Sequence, residues 1–188
     1  IAIAGDSLEV RNRQVYINGV AAVNPKNLQF AYQIDAPNLN YAKVEEAGIA
    51  IPPDRRWPYF LSATHLEKLK SIDPNIQIRP FDPTGQTAGL FPHDMVHFNT
   101  WTVDNYGPIY IPKKGATVAL TPETIALYRR VIDVYENNDY KEENGQYIIN
   151  GVPSTSYTFK QDYYWAMGDN RHNSEDSRAW GFVPHDHI

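Results

Sequence analysis

Residues 167–184, MGDNRHNSEDSRAWGFVP, decide how the rest of the chain is interpreted. The stretch brings acids, arginines, serines and asparagines close together, and it ends in the apolar sequence Gly-Phe-Val-Pro. A surface loop does not need so many opposite charges, and a buried strand tolerates them only when each charge is paired. We therefore interpret the stretch as a polar site that packs beside a hydrophobic core.

The length and charge of the chain indicate one globular domain, or one domain with a large insertion. Its 188 residues are enough to bury a hydrophobic core without disulfide bonds, and it contains no cysteine. The formal net charge is -5 and no basic tract occurs, which argues against a nucleic-acid partner. No apolar run approaches the roughly 18 residues that a membrane-spanning helix needs.

Short β-strands are predicted near both ends of the chain. Residues 7–19 place two apolar runs around a polar turn and finish on Asn18-Gly19, a pattern typical of a β-hairpin. Residues 144–169 contain two further Asn-Gly pairs between β-rich runs. The tetrapeptide Ile-Asn-Gly-Val occurs in both regions, which we interpret as a shared turn type rather than a structural repeat.

The proline-rich middle of the chain is predicted to contain two short helices. Residues 38–49 are predicted to form one helix that Gly48 closes. Residues 62–72 begin with Ser62 as N-cap and place apolar residues at helical spacing. Prolines divide the neighbouring sequence into short pieces.

Residues 121–138 carry the strongest helical pattern. Thr121 is the predicted N-cap, Pro122 occupies the first helical position, and one apolar face follows. We expect this segment to be the longest helix and to lie outside the β core that carries residues 1–19 and 145–184.

These patterns predict a mainly β fold interrupted by a long α+β insertion. The β core is predicted to consist of residues 1–20 and 145–188. Residues 21–144 are assigned to the insertion.

Two clusters contain residues that can bind a metal ion or a ligand, but a structural role explains both clusters better. His93 and His97 have the i,i+4 spacing of a helical metal pair, but Pro92 and β-branched neighbours indicate a strand, where that spacing is too wide for one metal ion. Aromatic residues at 163–165 are compatible with a sugar or peptide platform, although such residues in strands more often belong to the core. No metal site or cofactor site is predicted.

The motif at 168–184 resembles the last conserved box of type I signal peptidases. That pattern is Gly-Asp-Asn-Arg, two variable residues, Ser, one variable residue, Asp-Ser-Arg, two variable residues, Gly, one variable residue and Val-Pro. The positions that fit it are Gly168, Asp169, Asn170, Arg171, Ser174, Asp176, Ser177, Arg178, Gly181, Val183 and Pro184. Gly5 and Asp6 resemble the end of an earlier family box, and residues 104–115 resemble the Tyr-Gly-Pro region before the last box. The resemblance covers both ends of the chain well and the middle poorly.

The resemblance implies a function and a mechanism. Type I signal peptidases remove signal peptides from exported preproteins at the periplasmic face of the inner membrane, with a serine nucleophile and a lysine general base and without a cofactor. The lysine must be neutral to accept the serine proton, so it needs an apolar pocket that lowers its pKa. Signal peptides and, through an anchor, the inner membrane are the implied partners. The family's serine and lysine boxes are not found in residues 1–188, so we expect an extracytoplasmic fragment that is inactive alone.

The resemblance also assigns supporting roles to residues of the motif. Ser174 is expected to hydrogen-bond the lysine amine and orient it. Asp176 and Arg178 are expected to form an ion pair that fixes the loop, and an Arg178–Asp176 contact partly shielded from water is predicted. Gly168 leaves room for the lysine stem, and Asp169 is expected to pair with an arginine that follows the lysine. Asn170 and Arg171 are assigned to shaping the site, whereas His172 occupies a position that the family leaves variable and is assigned no role.

An alternative from a different functional class stays open at this point. That alternative is a non-catalytic binding or scaffolding domain that kept the fold and lost the catalytic pair, and the complete setting of Ser174 in the motif favours the peptidase over it. A Lys-Arg pair immediately before Ile1, with a Ser-Met box farther upstream, distinguishes the peptidase from this alternative.

Overall fold

The computed structural model describes residues 1–52, 58–81 and 89–188, which divide into two compact units. Unit 1 contains Ile1–Ala22, Gly85–Met167 and Glu175–Ile188. Unit 2 contains Val23–Thr84 and Gly168–Ser174. The chain therefore leaves unit 1 twice, the second time for a short loop inside the motif.

The described structure is mainly β, as predicted. The strands are β1 Ser7–Arg11, β2 Gln14–Ile17, β3 Val20–Ala21, β4 Phe30–Asp35, β5 Tyr59–Leu61, β6 Gln77–Pro80, β7 Tyr106–Tyr110, β8 Thr117–Ala119, β9 Tyr140–Glu143, β10 Gln146–Ile149, β11 Val152–Ser154, β12 Ser156–Thr158, β13 Tyr163–Tyr164 and β14 Val183–Pro184. The helices are α1 Tyr41–Glu46, α2 Ala63–Ile72, α3 Pro122–Arg130 and α4 Ser177–Trp180, with a π-helical segment at Val131–Tyr135 and a 3-10 turn at His185–His187.

Unit 1 is built from antiparallel sheets whose turns the sequence predicted. Its largest sheet has the order β3-β2-β1-β7, and β9, β10 and β11 form a second meander. At Asn18-Gly19 φ is 52° and 79°, and at Asn150-Gly151 it is 53° and 79°. Two successive positive φ values define the hairpin turn that asparagine and glycine adopt most easily. The hairpins expected in residues 7–19 and 144–169 are thus confirmed, and the repeated Ile-Asn-Gly-Val marks one turn type.

The core of unit 1 joins the β-strands to α3, which corrects one expectation. Ile125 and Tyr128 of α3, and Ile132 of the π-helical segment, are buried in the same cluster as Leu8 and Trp165. A helix with a single apolar face must bury that face against a partner, and here the partner is the β core itself. The expectation that this helix lies outside the core is therefore wrong. Residues 89–144 likewise pack within unit 1, so the structure divides the chain differently from the predicted insertion 21–144.

The helix predicted at 121–138 begins as expected and ends differently. Its helical run, Pro122–Tyr135, is the longest among the residues that the structure describes, but the last turns are π-helical rather than α-helical. Thr121 is the N-cap, with Pro122 in the first turn. The Thr121 side chain accepts a hydrogen bond from the Thr124 amide at 3.3 Å, and the Thr124 hydroxyl accepts one from the Thr121 amide at 2.8 Å.

A Thr121→Ala variant of residues 1–188 should lose about 1 kcal/mol of unfolding free energy. The substitution removes the acceptor for the Thr124 amide and leaves one of the first helical N–H groups without its cap. Urea unfolding followed by circular dichroism measures the change. Thr155→Ala is the matched control at an exposed threonine, with an expected change within about 0.5 kcal/mol. Equal stability of the two variants would contradict the capping role.

A buried carboxylate follows the π-helical segment and was not anticipated from the sequence. Glu136 is 5% exposed and accepts hydrogen bonds from the hydroxyls of Tyr157 and Tyr163 and from the Lys160 amide. The Lys160 ammonium donates to the Glu136 carbonyl oxygen at 2.8 Å. Burial, followed by the interactions with Glu136, raises the pKa of both tyrosines, which keeps them protonated as donors. The network ties the end of the helical run to the segment that leads into β13.

Unit 2 contains the two short helices and a three-stranded antiparallel sheet of order β5-β4-β6. The α2 helix starts after Ser62, whose side chain accepts from the His65 amide at 3.3 Å, so the predicted cap is confirmed. The α1 helix is shorter than predicted, because Asn40 caps its start and Gly48 follows its end with φ of 76°. The buried core of this unit consists of Leu39, Val44, Ile49, Tyr59, Leu61, Leu69 and Ile76.

None of the helices in the described ranges has the length and apolar character needed to cross a membrane.

Candidate functional site

The motif at 168–184 is divided between the two units. Residues Gly168–Ser174 belong to unit 2, and the motif continues in unit 1 from Glu175. Within unit 1, α4 follows directly, and β14 then pairs with β13 in antiparallel register. The motif combines polar residues with an apolar end because that end forms a strand that packs on the core of unit 1.

Asp176 and Arg178 form a bidentate ion pair in unit 1. The distances are 2.9 Å from Arg178 Nε to Asp176 Oδ1 and 2.7 Å from Nη2 to Oδ2. The two residues are 5% and 3% exposed, so the pair is almost completely shielded from water. The predicted contact is confirmed. Its function in a catalytic site stays a prediction.

The ion pair is possible at a spacing of two because a helix begins there. Asp176 is the N-cap of α4, and its Oδ1 atom also accepts from the Arg178 amide at 3.1 Å. The Asp176 carboxylate thus accepts hydrogen bonds from both the backbone amide and the guanidinium of Arg178. The short helix Ser177–Trp180 was not predicted, because four residues carry too little periodicity to reveal a helix.

Ser177 is completely buried and joins α4 to the segment before the motif. Its hydroxyl accepts from the Ala166 amide at 2.9 Å, while its own amide donates to the Ala166 carbonyl at 3.0 Å. The sequence placed Ser177 in the motif but gave it no role. The structure shows that this serine stabilises the backbone instead of facing solvent.

The α4 turn is also fixed against Phe91. The Arg178 carbonyl accepts from the Phe91 amide at 2.7 Å, and the Tyr106 hydroxyl donates to the Phe91 carbonyl at 2.7 Å. Burial raises the pKa of Tyr106 well above its usual range, so this hydroxyl remains a donor. A Cβ atom on Gly181 would lie 2.7 Å from the Phe91 ring, which explains the glycine of the motif at this position.

In unit 2, the loop Gly168–Ser174 lies along β4 and the residue before it. The Gln29 amide donates to the Asp169 carbonyl, and the Arg171 amide donates to the Gln29 carbonyl, each at 2.9 Å. These bonds form an isolated parallel bridge between Gln29 and Asn170. Arg171 is 7% exposed, whereas Asp169 and Ser174 are exposed.

His172 makes a contact that sequence reasoning missed. The Ala31 amide of β4 donates to His172 Nδ1 at 3.0 Å. The imidazole also meets the Phe30 ring edge-on, with ring centroids 5.5 Å apart. No local sequence signal could have revealed this contact, because the partners stand 141 residues apart.

The two other clusters considered from sequence have structural explanations. His97 lies in a turn and His93 in irregular backbone with φ of 64°, so neither lies in the predicted strand. His97 Nδ1 lies 2.6 Å from Asp94 Oδ2, and this hydrogen bond lowers the pKa of Asp94. Within the described ranges, no group of three or more histidines and acids is placed to hold a metal ion. Tyr163 and Trp165 are fully buried, which confirms the core interpretation for these two residues, whereas Tyr164 between them is partly exposed.

Comparison with known proteins identifies relatives of this chain. Residues 111–188 match the family described as signal peptidase, peptidase S26. The signal peptidase I of Aquifex aeolicus (strain VF5) is 56% identical over 32 residues, which are 17% of this chain and 12% of the relative. The signal peptidase I of Buchnera aphidicola subsp. Schizaphis graminum (strain Sg) is 44% identical over 45 residues, which are 24% of this chain and 14% of the relative.

The matched segments therefore span only a small part of each curated relative, and no solved structure gives a significant match. The family match includes the whole motif, from Gly168 to Pro184, together with the buried Asp176–Arg178 pair. Its residues agree with the family pattern described from the sequence. Residues 111–188 of this chain are thus similar to the signal peptidase, peptidase S26 family.

Proposed function

We propose that this chain is part of a signal peptidase that removes N-terminal signal peptides from exported preproteins by serine–lysine chemistry. The observation that carries the proposal is the family motif with its ion pair intact: Asp176 and Arg178 are bonded through two hydrogen bonds and almost fully buried. An uncompensated charge at this depth would be strongly destabilising, so each of the two residues requires the other.

The nucleophile and the general base are proposed to come from outside residues 1–188. In the mechanism, a neutral lysine amine accepts the proton of a serine hydroxyl as that oxygen attacks the scissile carbonyl. The lysine ammonium then gives this proton to the leaving amine as the peptide bond breaks, which releases the mature protein and leaves the signal peptide as an acyl-enzyme. Water hydrolyses the acyl-enzyme, with the lysine again as the base, and the serine hydroxyl is restored. Ser174 has an exposed side chain and is the residue proposed to orient the lysine amine through a hydrogen bond.

The other motif residues are proposed to shape and support this site. Asp169 is proposed to pair with the arginine that follows the lysine, and its carboxylate is exposed in unit 2. Gly168 is proposed to leave space for the lysine stem, while Asn170 and Arg171 hold the loop. The Asp176–Arg178 pair has a positioning role rather than a role in bond making, because both charges are satisfied by each other.

The whole protein is proposed to act at the periplasmic face of the inner membrane, with signal peptides as substrates. This location follows from the proposed reaction, because a signal peptide becomes accessible to a peptidase after the preprotein has crossed the membrane. The proposal includes a membrane anchor outside residues 1–188.

Cleavage of a synthetic signal-peptide substrate tests the proposal. The full-length protein in detergent should cleave the substrate at one site, and purified residues 1–188 should show no turnover because nucleophile and base are missing. Mass spectrometry of the products measures both. A full-length protein that binds the substrate without cleaving it would favour a non-catalytic binding domain, and turnover by residues 1–188 alone would contradict the assignment of the catalytic pair.

A further inference from the structure

The loop that carries Ser174 belongs to the same compact unit as residues 23–84. Three backbone groups make this association: the amide and carbonyl of Gln29 and the amide of Ala31. All three bond to the loop Gly168–Ser174, and the ring of Phe30 packs against His172 between them. Residues 29–31 thus provide a continuous surface for this loop.

The contact at Ala31 extends one edge of the unit 2 sheet. On that edge, β4 pairs with β6 as far as Tyr32 opposite Pro80, and the Phe81 amide then donates to the Ala31 carbonyl at 3.0 Å. The amide and carbonyl of one residue point to the same side of an antiparallel strand. The Ala31 amide therefore requires a partner beyond the end of β6, and His172 Nδ1 supplies it at 3.0 Å.

The acceptor role restricts the chemistry of the side chain at position 172. Ala31 is 1% exposed, so water does not readily replace a missing acceptor for its amide. An imidazole nitrogen accepts a hydrogen bond only when it carries no proton, so the neutral ring must hold its proton on Nε2. An asparagine side chain also offers an acceptor at a similar distance from the backbone, whereas alanine offers none.

We propose that residues 23–84 support the loop that carries Ser174, and that His172 is the positioning residue through which they act. The effect of His172 on catalysis rests on the proposed peptidase function. His172 fixes the loop two residues before Ser174, so the conformation available to the Ser174 hydroxyl depends on the bond to Ala31. Residues 29–31 of unit 2 thereby acquire a function in holding this loop.

Two measurements on residues 1–188 test the contact without any catalysis. In His172→Ala, hydrogen exchange at the Ala31 amide should be about tenfold faster than in the wild type, as expected for one lost hydrogen bond. His172→Asn should restore most of the protection. Nitrogen-15 spectra of the wild type should show His172 with its proton on Nε2. Unchanged exchange in His172→Ala, or a proton on Nδ1, would overturn the proposal.

The catalytic consequence is tested in the full-length protein. His172→Ala should lower kcat by about tenfold with little change in KM, and His172→Asn should recover most of the loss. Val44→Ala is the matched control, because it reduces buried apolar contact in unit 2 on a helix that carries none of the loop contacts. Wild-type kcat in His172→Ala, or an equal loss in Val44→Ala while both proteins are folded, would overturn the positioning role.

The two sets of measurements separate the proposal from the peptidase assignment. A full-length wild type that cleaves no signal peptide would contradict the proposed function alone. The exchange rates and the tautomer of His172 would still decide whether residues 23–84 hold the loop through this bond.

Discussion

Replacing Asp176 with alanine is expected to lower the free energy of unfolding of residues 1–188 by about 3 to 5 kcal/mol. The substitution leaves the Arg178 guanidinium buried, at 3% residue exposure, without the carboxylate that compensates its charge. It also removes the N-cap of α4, because Asp176 Oδ1 accepts from the Arg178 amide. Urea unfolding monitored by tryptophan fluorescence measures the loss.

Three further variants separate the charge from the other contributions. Glu175→Ala changes an exposed neighbour and should shift stability by less than about 0.5 kcal/mol. Asp176→Asn keeps a capping side chain but removes the charge, so it should recover only the capping part of the loss. The double variant Asp176→Leu with Arg178→Met should be more stable than Asp176→Ala, because no unpaired charge remains. An Asp176→Ala variant as stable as Glu175→Ala would show that the pair does not hold the turn.

Replacing Ser174 with alanine is expected to lower kcat/KM of the full-length protein by about a hundredfold. The proposed function gives this hydroxyl the task of orienting the lysine base, and a well-positioned general base contributes about 10² to 10⁴ to the rate. The stability of the protein should change little, since Ser174 is exposed. Steady-state kinetics with a signal-peptide substrate, together with thermal unfolding, measure both effects.

Ser177 and Ser156 provide the contrast for this prediction. Ser177→Ala removes a buried acceptor for the Ala166 amide, so it should reduce stability. Ser156→Ala changes an exposed serine in β12 and should alter neither activity nor stability. An active Ser174→Ala variant with wild-type kcat/KM would exclude the orienting role of Ser174.

The hairpins were predictable because their turns are determined by adjacent residues. Asn18-Gly19 and Asn150-Gly151 adopt the left-handed backbone that a tight antiparallel turn requires, and few other pairs do so at low energy. The start of α3 was predictable for the same reason, since Thr121 and Pro122 act on the first turn only. Turns and helix starts that depend on adjacent residues can therefore be predicted from a single sequence.

The position of α3 in the core of unit 1 was not predictable. The apolar face of a helix shows which side chains must be buried, but it does not show which part of the protein covers them. The helical run ends at Tyr135, directly before Glu136, whose carboxylate accepts hydrogen bonds from Tyr157 and Tyr163. These partners follow it by 21 and 27 positions along the chain. A glutamate in a sequence is ordinarily solvated, so only the fold reveals that this one is buried.

The candidate site shows the same division between local and distant contacts. The contact of Asp176 with Arg178 was predicted from the motif, where the two residues are close in sequence. The contact of His172 with Ala31 was not predicted, because it joins the motif to a strand near the beginning of the chain. Family resemblance gave His172 no role, since it concerns only positions that relatives share.

Ser174 is proposed to support a lysine base supplied from outside residues 1–188. A crystal structure of the full-length protein tests this role through one distance, from that lysine Nζ to Ser174 Oγ. We predict hydrogen-bond contact between these two atoms at about 2.7 to 3.2 Å, with the lysine amine also near the nucleophilic serine. A structure in which every lysine Nζ lies more than about 6 Å from Ser174 Oγ would contradict this role, because such a distance is too long for a direct hydrogen bond.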